Sequence, residues 1–403
     1  MGVDPRQVLA GVLTITMFVM LGDMIKRDHF DSQLPVDSDT SIHSTRKQTL
    51  VIDGDGPSLK PCLPIPLIEE ADESQGFVTF SLTNGPEYHV SQIADAVVIA
   101  RYLRANLVLP DIRGSEPGDK RNFEEVYDVE HFVKSLNGVV KVTKSQPSKR
   151  NLAVVKVPSR VSEEYIVDNI EPIFRSKGNI RLATYFPSVN MKKLKDNSNI
   201  DAIACLGMFG TLELQPQVNG VVESMVERLR TLSRKSNGQF IAVDLRVDIL
   251  EKKSCQGNSA SRSKSCFGPQ EIAMFLRKLG FNKDTTIYLT QSRWDSSLDA
   301  LKDLFPRTYT KESIMPIDKK ARFLDTENSE LEKVIDFHMC SQSDVFVPAI
   351  SGLFYANVAG KRIASGKTQI LVPADISGSS ASLTDYISHY VSKRNHFAYS
   401  CFC

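Results

Sequence analysis

Neither sign of charge prevails in this sequence. Its 49 Lys and Arg stand against 48 Asp and Glu, which leaves no basic face for a phosphate backbone and no acidic disordered bulk, so nucleic acid is not an expected partner. Cysteine is sparse and poorly spaced for metal: Cys62, Cys205, Cys255, Cys266, Cys340, Cys401 and Cys403 form no CxxC pair and no Cys/His ligand pattern, which speaks against a zinc site. No DxD-like carboxylate clamp occurs from residue 76 onward, so no metal or other cofactor is expected. GxSxG, HExxH, P-loop and post-strand GxGxxG sequences are missing as well, and with them the common hydrolase, metalloprotease and dinucleotide-site signatures. Internal repeats and low-complexity tracts are absent, which sets solenoids aside. The ending Ser400-Cys401-Phe402-Cys403 is not a prenylation box. An odd number of cysteines leaves at least one thiol unpaired within the chain, while Cys255 and Cys266 could close the basic loop between them in an oxidising compartment.

Long apolar runs are lacking too, with one exception near the start. Val8 to Gly22 carries no charge, and apolar character resumes at Met24 and Ile25. As a helix this run spans roughly 27 Å, close to the roughly 30 Å hydrocarbon core. No small-residue cleavage pattern follows it, so it reads as an uncleaved signal anchor over residues 8–25 behind a short head, residues 1–7. Arg6 on one side nearly balances Lys26 and Arg27 on the other, and the short head favours the arrangement with the amino terminus inside. Residues 26–75 are rich in Asp, Ser, Thr, Pro and Gly without sustained period, the composition of a stem.

At 403 residues the chain exceeds the usual single core, and two lobes are the expectation. The folded part opens with one strand, Phe77 to Leu82, which stops at Asn84-Gly85-Pro86. Helical spacing becomes visible at Ile93, and Leu107-Val108-Leu109-Pro110 reads as a buried strand. Strands at 139–142, 152–157 and 181–185 alternate with helices at 129–136, 163–174 and 218–234. A second run begins at the apolar strand Phe240-Ile241-Ala242-Val243, with helix 269–279, strand 285–289, helices 297–305 and 331–340, strand 345–347, helix 353–364, strand 369–372 and helix 383–391. The alternation predicts an α/β fold with two parallel-sheet, Rossmann-like lobes, residues 76–237 and 238–403.

Ligands of open α/β sheets sit beyond the carboxyl ends of strands, so polar residues directly after buried strands are the candidates. Asn84-Gly85 precedes a helix whose N-terminus could meet a diphosphate, although a plain turn uses the same residues. Asp244 and Arg246 end the most apolar strand; Arg246 could neutralise a leaving diphosphate and Asp244 is a base candidate by position, the alternative being an internal salt bridge. Ser343, Asp344 and Ser351 flank a buried strand and a helix start, which suits ribose, base or phosphate contacts and equally suits capping. His89, His131 and His338 lack carboxylate partners in sequence and read as core or surface histidines.

Together these stretches resemble the plant branch of the protein O-fucosyltransferase-like glycosyltransferases. The likeness is carried by Met1-Gly2-Val3-Asp4 with its short anchor, the runs 84–92, 95–101 and 107–110, Gly268-Pro269-Gln270-Glu271-Ile272, Thr286-Ile287-Tyr288-Leu289 and Ser343-Asp344-Val345-Phe346-Val347-Pro348. It covers residues 76 to about 395. The resemblance implies a GT-B fold clasping a nucleotide sugar, an inverting and metal-independent transfer, and a type II Golgi membrane protein acting in mannan or glucomannan synthesis. GDP-mannose or a related GDP-sugar is the implied donor and a mannan-type polysaccharide the acceptor. The family's first loop falls on Asn84, Gly85 and Glu87, its His-x-Arg strand end on Asp244 and Arg246, and its Ser-Asp pair on Ser343 and Asp344. Three positions depart: Glu87 replaces an asparagine, Asp244 a histidine, and Leu353 an asparagine after Gly352. A carboxylate near a diphosphate repels it unless an arginine or a proton intervenes. These departures leave a second reading, a non-catalytic Golgi partner that binds glycan or steadies a mannan synthase, and a third, an O-fucosyltransferase-like enzyme acting on another wall glycan.

Overall fold

The computed structural model describes residues 60–62, 64, 65, 76–83, 85–114, 120–144, 152–158, 160–184, 199–252, 266–324, 330–374, 387 and 394–403. All of them belong to one compact unit, Thr49–Cys403. The predicted span at 8–25 and most of the stem lie outside the described residues; among the described residues no helix is long and apolar enough to cross a membrane.

The first half is built on β1 (Phe77–Thr79), β2 (Ser81–Thr83), β3 (Asn106–Val108), β4 (Asp111–Arg113), β5 (Lys120–Asn122), β6 (Val142–Thr143), β7 (Leu152–Val157) and β8 (Asn179–Thr184). A five-stranded sheet has the order β6-β3-β1-β8-β7 with every pair parallel. A small sheet, β2-β4-β5, stands beside it. The single strand expected at 77–82 is therefore two, in different sheets. Val78, Phe80 and Leu82 are all buried, so inward alternation runs unbroken through the change of partner at Phe80 and hides it from the pattern.

Helix α1 (Pro86–Tyr102) has Pro86 in its first turn and is buried through almost its whole length, including Glu87, His89, Gln92 and Asp95. A helix buried all round has no clean polar face, which explains why its first two turns were not legible. Helix α2 (Asn199–Phe209), mostly apolar after Asp201, also shows no clean polar face in the sequence. The two helices cross closely at Gly207, where a Cβ would stand 2.8 Å from the Ala94 Cα.

Strands β9 (Phe240–Asp244), β10 (Thr286–Leu289), β11 (Thr308–Tyr309) and β12 (Val345–Pro348) form a second parallel sheet in the order β11-β10-β9-β12. Phe240 and Ala242 of β9 face a core shared with the first half, Ile241 and Val243 a second core, the two-residue period of a strand covered on both faces. Around it pack α3 (Glu330–Gln342) and α4 (Leu353–Ala364). The strand expected at 369–372 is only a bridge from Ile370 to Phe346, and of the helix expected at 383–391 only Ile387, bridged to Pro373, is described.

Disulfides join Cys62 to Cys403 and Cys205 to Cys401. Cys266 is also disulfide-bonded, its expected partner Cys255 lying outside the described residues. Cys340 is a free, buried thiol.

Candidate active site

The carboxyl ends of β9 and β10 open on a cavity of about 610 Å³. Arg246 and the loop Thr290–Arg293 reach it from the sheet, Glu87 and Tyr88 from the start of α1, Phe354 from the start of α4, and Glu332, Lys333 and Asp336 from α3. It thus lies where the parallel-sheet rule places ligands.

Arg246 is set by two neighbours. Its Nε and Nη2 donate to Asp244 Oδ1 and Oδ2 at 3.0 and 3.3 Å, and its guanidinium lies 5.0 Å from the Phe354 ring centroid. Asp244 is fully buried and also accepts from Thr290 Oγ1 at 3.0 Å. Both of its oxygens are hydrogen-bonded, and in this arrangement Asp244 holds the arginine fork. The internal salt bridge and the cavity-lining arginine, posed as alternatives from sequence, coexist.

Beneath lies a cluster of buried charge. The Lys311 ammonium, 1% exposed, donates to Glu332 Oε2 at 3.0 Å and pairs with Asp336 Oδ2 at 2.8 Å. The Tyr288 hydroxyl donates to Asp336 Oδ1 at 2.7 Å, and Ser292 donates to Glu332. Burial pushes Asp336 up to about 6 against the opposing pull of Lys311. Five basic side chains (Arg246, Lys252, Arg293, Lys311, Lys333) and four acidic ones (Glu87, Asp248, Glu332, Asp336) line the cavity.

Glu87 is the group whose state is adjustable. It is 8% exposed, its Oε2 has no hydrogen-bond partner, and burial raises it from 4.5 to about 7, with Arg246 and Lys333 pulling the other way. Gly85 makes its placement possible: φ is +109° there, and a Cβ would stand 2.8 Å from Glu87 Oε2 and 3.2 Å from Lys333 Cδ. Asn357 Nδ2 of α4 donates to the Glu87 carbonyl at 2.9 Å. That bond ties the N-terminal ends of α1 and α4 together at the cavity, and two helix N-termini present positive potential to an anion.

The other sequence candidates divide. Ser351 stands exposed at the carboxyl end of β12, just before Gly352, whose φ is +149°. Asn84 lies outside the described residues. Ser343 and Asp344 do not line this cavity. They precede β12 at its amino end: Pro348 is level with Asp244, so Asp344 lies four residues, about 13 Å, down the sheet. There the Asp344 carboxylate accepts from Phe240 N at 2.8 Å, and the fully buried Ser343 is bonded to Arg362 and to the Cys340 carbonyl. His89 and His338 are buried and held down to about 3 by desolvation, and His131 Nε2 lies 3.2 Å from the Gly210 carbonyl. Among the described residues no His/Cys/Asp/Glu group is arranged to hold a metal. Sequence reasoning missed Lys311, Glu332, Lys333 and Asp336; the first stands two residues after the short strand β11, which the sequence pattern does not reveal.

Fold and site together define a chain of the GDP-fucose protein O-fucosyltransferase family: that family's model matches residues 83–364, more than two thirds of the sequence, and the chain belongs to it. Within the family its relatives include Protein MANNAN SYNTHESIS-RELATED 1 of Arabidopsis thaliana, 61% identical over the full length of both chains. Protein MANNAN SYNTHESIS-RELATED of Trigonella foenum-graecum is 47% identical, over 99% of this chain and 98% of its own. Among solved structures, POFUT1 in complex with GDP is 12% identical with a TM-score of 0.43, covering 76% of this chain and all of that one.

Proposed function

We propose that the chain is an inverting, metal-independent glycosyltransferase that takes GDP-mannose or a related GDP-sugar into the Arg246 cavity and adds the sugar to a mannan-type polysaccharide. The observation that carries this reading is Arg246, locked by Asp244 at a strand end and facing a cavity where two helices begin. Family membership supports the GDP-sugar, and the names of the full-length relatives support the mannan.

In this reading the diphosphate lies against the Arg246 guanidinium, which meets the charge that develops as the anomeric C–O bond breaks and GDP leaves. Glu87 takes the proton of the acceptor hydroxyl as its oxygen bonds to the anomeric carbon from the opposite face. A pKa of about 7 suits a base at neutral pH. In this reading Arg246, with Lys333 near it, takes the place that a divalent ion holds elsewhere. The two sheets are the cores of two Rossmann-like lobes in GT-B arrangement, residues 76–237 and 238–403, held in the Golgi lumen by the span at 8–25.

One observation favours the second reading, a non-catalytic partner of a mannan synthase: Arg246 is already paired within the fold. Calorimetry with GDP, UDP and their sugar conjugates separates the two. A guanidinium contributes about 1.5 to 3 kcal/mol to a charged hydrogen-bonded contact, so Arg246→Ala is expected to weaken GDP binding roughly tenfold or more. Absence of nucleotide binding by the folded wild type at millimolar concentration would favour the partner.

A further inference from the structure

Two stretches far apart in the sequence are bound to each other beside α2. Pro61 and Phe402 face one another in an antiparallel bridge. Cys62 N donates to the Cys401 carbonyl and Cys403 N to the Lys60 carbonyl, each at 2.8 Å. Those bonds flank the Pro61–Phe402 pair, so proline, which has no N–H to give, costs the ladder nothing there. The disulfide Cys62–Cys403 closes the same pairing covalently.

Residues 401–403 are themselves fastened to the fold. The disulfide Cys205–Cys401 ties the short helix Ala398–Cys401 to α2, and the Phe402 ring lies 5.7 Å from that of Phe209 at the end of α2. Just ahead of the short helix, His396 Nε2 lies 2.8 Å from the Ala356 carbonyl of α4. Cys205 and Cys401 are buried, whereas Cys403 is exposed and Cys62 half-buried. A reductant therefore reaches the outer bridge before the inner one.

The order of these residues along the chain gives the two bridges a purpose. Lys60 to Cys62 stand ahead of β1, and the anchor read at 8–25 lies ahead of them. A pull from that side enters the fold at Cys62 and can pass through Cys403 and Cys401 to Cys205 in α2. This covalent path omits the peptide chain from residue 63 to residue 76.

We propose that the two bridges in series are a redox-released fastening, which holds the folded module to its amino-terminal tether even when the chain between Cys62 and Gly76 is cut. It rests on the membrane reading above only for what lies at the far end of the tether. Shedding of the module as a soluble protein then requires a cut ahead of Lys60, or a cut after Cys62 together with a thiol reductant. In an oxidising lumen the bridge persists. Its opening is a thiol–disulfide exchange: a dithiol is oxidised to its disulfide, and the two electrons and two protons it gives up leave Cys62 and Cys403 as thiols.

The sequence makes the test clean, because Cys62 is the only cysteine before Cys205. The full chain, with a tag ahead of Met1 and a site for a sequence-specific protease between Ala71 and Asp72, is held on resin by the tag in mild detergent. Free thiols are alkylated, the site is cut, and a urea rinse removes whatever only non-covalent contacts retain. Residues 72–403 are expected to stay on the resin and to leave it entirely when dithiothreitol is added. Cys62→Ser/Cys403→Ser keeps the inner bridge, and thermal unfolding confirms that it is folded; it is expected to lose the fragment at the urea rinse without dithiothreitol. Release of the wild-type fragment by urea alone, or its retention in the double variant, would overturn the proposal. Failure of the membrane reading shows separately, as loss of the uncut chain from membranes in an alkaline wash.

Discussion

Glu87 makes the donor affinity of this cavity a function of pH. GDP-mannose keeps one charge on each phosphate between pH 6 and 8, so a change in its affinity over that range reports on the protein. A carboxyl raised to about 7 is protonated in about nine molecules of ten at pH 6 and about one in ten at pH 8. If the diphosphate binds more tightly beside the neutral form than beside the carboxylate, apparent affinity falls as pH rises, by up to about tenfold from pH 6 to pH 8, and transfer proceeds from the complexes in which Glu87 is ionised. The sign follows from the direction of the shift: a raised carboxyl is neutral below about 7, and the favourable state is lost as pH rises. Glu87→Gln keeps the shape and removes the charge, so the variant is expected to bind at pH 8 about as tightly as the wild type does at pH 6. Its transfer rate is nevertheless expected to fall by about 10² or more, because the base is gone. Fluorescence offers a direct assay, since the only tryptophan, Trp294, follows Arg293 on the cavity wall. A wild-type affinity independent of pH, or a pH slope that survives in Glu87→Gln, would refute the reasoning.

Three further outcomes are expected. Lys311→Met leaves Glu332 and Asp336 buried without their cation and is expected to cost about 3–5 kcal/mol in chemical denaturation; a loss below about 1 kcal/mol would show that the buried carboxyls are relieved by other means. Transfer by the wild type is expected to persist in excess chelator, and its complete, reversible loss would assign the diphosphate charge to a metal ion instead of the side chains. In sealed Golgi vesicles the region from residue 28 onward is expected to resist protease until detergent is added; digestion without detergent would contradict the type II arrangement.

The second half of the fold was the more legible in the sequence. Phe240–Asp244 is an uninterrupted apolar strand ending in charge, and Leu353–Ala364 was placed at its observed bounds. There the sheet is covered on both faces, and α4 follows Gly352 directly, a signal that depends on local chemistry. The first half was harder because its central helix α1 is buried nearly all round: Glu87, His89, Gln92 and Asp95 interrupt its apolar period while lying inside the protein. The site was legible in part. Arg246 was found because it follows a strand, but position after a strand could not tell that Asp244 points inward or that Ser343 and Asp344 stand at the amino end of theirs. Glu87 was visible as a departure from the family pattern, and only packing beside Arg246 and Lys333 shows why a carboxylate is tolerated there.

The two disulfides of known pairing also set a timetable. Cys205 and Cys401 are 196 residues apart, Cys62 and Cys403 341 apart. At roughly 5–20 residues per second, Cys205 waits about 10–40 s and Cys62 about 17–70 s for a partner to be synthesised. Cys340 is made before either partner arrives, and until α3 packs and buries it it lies nearer in sequence to Cys62 and Cys205 than their native partners do. Correct pairing is therefore favoured if the second sheet and α3 condense first, so that Cys340, the free cysteine among the described residues, is out of reach when Cys401 and Cys403 appear.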